Sequence, residues 1–133
     1  MIYKNFYAEV GKLLYALAKV DGSISKEEIE TVHQLVLKKL VPLETSTDEF
    51  GTDSAFYVEM EFDFLNENFH DPETAFDSFM NYFKEHYTAF DNHLKEVVFQ
   101  VSEILINSYH NTNIRDHYMI LELKTMLTDT KVA

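Results

Sequence analysis

The chain has 133 residues, enough for one domain with a core of its own. A hydrophobic content of 46% with 14% aromatics argues against disorder, and three Gly and two Pro leave little room for the many tight turns of an all-β fold. The net charge of −12 opposes binding to nucleic acid and to anionic membranes while tolerating cations and basic proteins, and the lack of Cys excludes disulfides, thiolate metal sites and a cysteine nucleophile.

A first helix is predicted over Ile2 to Val20, with Tyr3, Phe6, Val10, Leu13, Leu14, Leu17 and Ala18 at helical spacing. Glu9 and Lys12 interrupt its apolar run and no small-residue cleavage site follows, so it reads as an amphipathic helix and not as a signal peptide. No apolar stretch is long enough to span a bilayer, which makes a cytoplasmic protein the expectation.

The stretch "VDGSISKEE" follows, from Val20 to Glu28. It resembles the second half of an EF-hand, but with Asp21 as the fifth ligand and Glu28 as the last, the first and third ligand positions fall on Leu17 and Lys19. Neither side chain can coordinate calcium. Helix chemistry accounts for the letters instead. Gly22 can close the first helix in a left-handed conformation, and Ser25 with Glu28 makes a capping box. Ile24 and Ile29 flank that box as a hydrophobic staple. Asp21 alone has no structural task.

The second helix carries Ile29, Val32, Val36 and Leu40 on one stripe and ends near Pro42. Residues 43–54 read as a polar loop. In the segment from Ala55 to Phe69, Val58 to Phe64 alternate as in a strand, yet Ala55, Val58, Phe62, Leu65 and Phe69 recur at helical steps. A lone strand would have no partner for its backbone groups, so a helix is predicted. Asp71 and Pro72 start a fourth helix with Phe76, Phe79, Met80, Phe83 and Tyr87 on its apolar face. A fifth runs from about Asp91 to Tyr109, with Leu94, Val97, Val98, Val101, Ile104, Leu105 and Ser108 inward. A sixth follows Asn113, which can cap it with Asp116 as partner, and uses Met119, Leu123, Met126 and Leu127. Laying "VDGSIS" over "HNTNIR" hints at a degenerate repeat of a helix pair. The expected fold is a single all-α bundle of about six helices.

The helix ending "LLYALAKVDGSISKEEIETVHQL" resembles the tellurite-resistance TerB-like family, whose mark is an Asp-Gly-x-Ile-x-x-x-Glu turn between helices. Asp21, Gly22, Ile24 and Glu28 match it over about the first forty residues. The resemblance implies an all-α domain of paired helices, a non-catalytic cytoplasmic interaction module related to stress responses, with weak binding of Ca²⁺ or another divalent cation. It extends to the N-terminal helical domain of DjlA-type co-chaperones. In the second half the acidic motif gives way to Asn111, Thr112 and Asn113, with Tyr118 where the second Glu would fall, so only Asp21 and Glu28 carry over as metal ligands.

Two Glu-x-x-His pairs, Glu30 with His33 and Glu67 with His70, define an alternative. A carboxylate-bridged metalloenzyme would need both pairs, with further carboxylates such as Glu96 and Glu103, aimed into one core. His33 falls on an apolar stripe and is expected to be a core histidine. The band Glu59, Glu61, Asp63 and Glu67 reads as a solvated face able to attract hard cations or a basic partner. A structural homo-oligomeric subunit is the third reading, favoured by an exposed aromatic patch.

Overall fold

The computed structural model describes residues 3–20, 22–43, 53–108 and 114–128. Among them the chain forms six α-helices and no β-strand: α1 (Tyr3–Lys19), α2 (Lys26–Leu35), α3 (Tyr57–Glu67), α4 (Pro72–Glu85), α5 (Asn92–Asn107) and α6 (Ile114–Thr128). This is the all-α bundle that the scarcity of helix breakers implies. A π-helical run, Val36–Leu40, and a 3-10 turn, Val41–Leu43, carry α2 on to Pro42. No helix of the described residues is long and apolar enough to cross a membrane.

Helix α1 is the centre of the bundle. Its sequence predicts one apolar stripe, but Tyr7, Tyr15 and Ala16 are buried beside Phe6, Val10, Leu13, Leu14, Leu17 and Ala18. A helix that is apolar nearly all round belongs in an interior. Helices α3 and α4 make the most extensive contacts with α1, and α5 the next. The approach of α3 is close because residue 11 has no side chain. A Cβ on Gly11 would lie 2.6 Å from the carbonyl oxygen of Val58 and 3.0 Å from Cβ of Glu61. Full burial of each large apolar side chain here contributes about 1.5–3 kcal/mol, so a central helix carries much of the stability.

Helix α2 approaches α5 more closely than α1. The turn between α1 and α2 is therefore a corner, not a packed hairpin. Helix α5, in contrast, packs on α6, so the two pairs that an internal repeat would equate are packed differently. The proposed cap at Asn113 and the loop of residues 44–52 lie outside the described residues.

Three helix starts follow from their sequences. Ser25 caps α2, Asp71 caps α4 with Pro72 in the first turn, and Asp91 caps α5. The ambiguous segment is the helix α3, with Val58, Phe62 and Leu65 turned inward. Apart from Ile29 on α2, four residues expected inside are not. Phe69 is 82% exposed, Tyr87 lies in a 3-10 turn beyond α4, Ser108 is the exposed C-cap of α5, and Ile104 is partly exposed. Tyr87, Ser108 and Phe69 share a cause: each follows the last turn of its helix, where the 3.6-residue period no longer sets direction. Ile104 sits at the edge of its stripe.

Candidate functional site

The turn that carries the family resemblance is built as a helix stop and a helix start. Gly22 has φ +127°, a conformation that L side chains rarely adopt, and its N–H donates to the carbonyl of Lys19 at 2.9 Å. Three residues on, the N–H of Glu28 donates to Oγ of Ser25 at 3.1 Å, and the N–H of Ser25 donates to Oε1 of Glu28 at 2.9 Å. Glu28 is only 5% exposed. One of its oxygens thus serves the capping box, which a metal would have to compete with. Asp21, the other candidate ligand, lies outside the described residues. Among the described residues no three His, Asp or Glu side chains are grouped to hold a metal ion.

The two Glu-x-x-His pairs do not converge. Glu30, Glu67 and His70 are exposed, as are Glu96 and Glu103 on α5. His33 is also misread by its sequence position. Instead of a core histidine it is half-buried, and its Nδ1–H donates to Oε1 of Glu59 on α3 at 2.8 Å. Of the stripe expected here, Val32, Val36 and Leu40 are buried, whereas Ile29 is 38% exposed. Near His70 the chain is held by its backbone, since the Tyr15 hydroxyl donates to the His70 carbonyl. Burial, and then the charge of Asp71, push the Tyr15 hydroxyl above the usual tyrosine range.

The His33–Glu59 link crosses a groove of about 300 Å³ between α2 and α3. Val32 and Phe62 give it an apolar base, and Glu30, Glu59 and Asp63 bring three carboxylates to its lining. Partial burial, and then repulsion from Glu67, raise the Asp63 carboxyl above the ordinary aspartate range. An anionic rim over apolar carbon fits a ligand that is itself apolar with cationic edges.

Beyond the groove, α3 turns large apolar side chains to solvent. Met60 is 51% exposed and Phe64, one turn further on, 58%. Residues four apart share a helix face, so these two form one apolar strip. Glu61 lies on one flank of the strip and Asp63 and Glu67 on the other, and α3 contains no Lys or Arg. The sequence does carry this signal. Once Val58, Phe62 and Leu65 define the inward side of α3, Met60 and Phe64 are large apolar residues that fall off it.

Helix α3 then ends in a Schellman motif. The N–H of His70 donates to the Leu65 carbonyl at 3.0 Å, and the N–H of Phe69 to that of Asn66 at 3.4 Å. The left-handed residue that this motif needs is usually Gly. Here it is Phe69, with φ +51°. A bulky residue in that conformation costs about 1 kcal/mol relative to Gly, and an 82% exposed ring recovers little of it through packing.

A polar cluster joins α1 to α4. Lys12 Nζ donates to Glu9 Oε2 at 2.7 Å and to Ser78 Oγ at 3.2 Å, and the Ser78 hydroxyl donates to Glu9 Oε1 at 2.8 Å. Each of the three groups is engaged by the other two, so the cluster acts as a clasp between the helices. Beside it, burial and then the charge of Glu9 push the Tyr82 hydroxyl upward.

Comparison with protein-family models, with curated proteins and with solved structures finds no significant match to the chain.

Proposed function

We propose that the protein is a non-catalytic interaction module of the TerB-like type, and that the α2–α3 groove with the outer face of α3 is its binding surface. The observation that carries this reading is the strip of Met60 and Phe64, left in water on a helix whose charged residues are all acidic. Large apolar side chains grouped on a surface and rimmed by charge mark interaction sites more often than scattered ones do. The exposed Phe69 just past the C-terminal end of α3 adds to it, because folding alone favours Gly there.

A stress-related role and weak divalent-cation binding belong to the same proposal through the Asp-Gly-x-Ile-x-x-x-Glu turn. Calcium titration followed by NMR tests that part: shifts centred on Asp21 and Glu28 support it, and unchanged spectra remove it. The same exposed side chains also favour a homo-oligomer, but two copies meeting through this face would bring one acidic face against another. Like charges so placed oppose association.

A photo-crosslinking amino acid placed at position 64 tests the module reading, with position 100, also exposed, as the control. The reading predicts adducts with another protein from position 64 in the native host and none from position 100. Equal labelling at both positions, or none at either, contradicts it.

A further inference from the structure

Resting on the module reading, we infer that the occupant of this surface is a basic amphipathic helix of a partner protein, with its apolar side chains on Met60 and Phe64 and its Lys or Arg residues against Glu61, Asp63 and Glu67.

Three observations select that occupant. The first is shape. The strip is set by residues one helical turn apart, so a second helix laid along α3 presents matching side chains at the same interval. The second is charge. The flanks of the strip are carboxylates, and the groove on one side adds Glu30 and Glu59. The whole chain carries −12, which attracts a cationic segment from a distance and disfavours a second copy of the chain. The Asp63 carboxyl, crowded by Glu67, gains a counter-charge when a cation arrives. The third is the turn after α3. Phe69 stands almost wholly in solvent in a conformation that suits Gly, which places a third large apolar side chain at the C-terminal end of the helix.

The rest of the surface fits this occupant less well. Tyr118 and Leu121 on α6 are also exposed, 68% and 54%, but α6 presents Arg115 and Lys124 as well as Glu122. Mixed charge selects no sign of partner. The depression between α2 and α5 is lined by Lys38 and Lys39 as well as Glu30.

The test is fluorescence anisotropy with the full chain and a labelled peptide of about 18 residues, long enough to form a helix, with Leu along one face and Lys and Arg along the other. Saturable binding is expected, weakening at least about tenfold between low and high salt as the ionic contacts are screened. A peptide of the same pattern with Glu in place of Lys and Arg is expected not to bind. Phe64→Ser and Glu67→Lys are each expected to lower affinity about tenfold or more with the thermal unfolding curve unchanged. Glu96→Lys, on the exposed side of α5, is the control for net charge.

Equal loss from Glu67→Lys and Glu96→Lys would show nonspecific attraction and overturn the inference, as would binding of both peptides alike. If neither peptide binds while position 64 still crosslinks to another protein, the basic helix is wrong and the module reading survives. If position 64 crosslinks only to a second copy of the chain and light scattering reports a dimer, the occupant is the chain itself. If neither peptide binds and position 64 does not crosslink, both readings fail.

Discussion

Among the described residues, two turns place a residue at positive φ just after a helix, and they differ in which residue they use. After α1 the residue is Gly22, and after α3 it is Phe69. At the first, the described neighbours agree with the turn: Ser25 and Glu28 cap the next helix from both sides. At the second, Asn66 and Leu65 supply the carbonyls of the motif and Asp71 caps the next helix, yet the central residue is one the backbone tolerates poorly. At its described residues, the first turn is explained by folding alone. The other is explained by folding except at a single exposed aromatic ring, and that exception lies at the end of the helix whose outer face carries Met60 and Phe64.

The comparison can be broken by substitutions that separate residues used by the fold from residues that are not. The largest effect is expected at Gly11, where a β-branched side chain would strike the backbone of α3. Gly11→Val should lower stability by about 3 kcal/mol in chemical denaturation, the upper end for overpacking. Gly22→Val should cost about 2 kcal/mol, since an added Cβ meets no atom within 4 Å but the residue cannot hold φ +127° without strain. A neutral result there would mean the turn has another conformation open to it.

A smaller effect is expected at Asp71, whose carboxylate accepts from the Thr74 hydroxyl at 2.7 Å and from the Thr74 N–H at 2.9 Å. These bonds, the hydroxyl first, hold its carboxyl below the ordinary aspartate value. A group lowered in the folded state stabilises above its unfolded value and loses that contribution as pH falls through the folded one. Asp71→Ala should therefore be less stable than wild type near neutral pH, with the gap closing in acid below the usual aspartate range. A gap that persists unchanged in acid would assign the loss to something other than the carboxylate. Phe64→Ser should be the smallest, within about 0.5 kcal/mol of wild type, because the ring is more than half exposed.

The all-α class, all six helices and the caps at Ser25 and Asp71 were legible because they depend on spacing and on side chains within three residues of one another, whereas Asp91 marked the start of α5 in the sequence and proves to be its cap. What was not legible depended on contacts between distant residues. The apolar residues of α1 outside its stripe mark it for the interior, but nothing local says that α3 and α4 are the helices that cover it, or that Gly11 is the point where α3 comes close. His33 was assigned to the core because its stripe is apolar, but its fate is set by Glu59, 26 residues away. Phe69 fits the helical recurrence of Val58, Phe62 and Leu65 in letters, yet the helix has already ended two residues before it. The acidic band faces solvent at Asp63 and Glu67, as its charge suggests, while Met60 and Phe64 are told apart from the inward Phe62 and Leu65 only once α3 has a defined inward side.

The central claim is that α3 keeps an apolar, acid-flanked outer face for binding at some cost to folding, and Phe69→Gly tests it most directly. The substitution should relieve about 1 kcal/mol of backbone strain and raise the melting temperature by about 3–5 °C. The same variant should bind the basic amphipathic peptide more weakly than wild type. A lower melting temperature, or unchanged peptide affinity, would place Phe69 in the service of the fold and contradict the account.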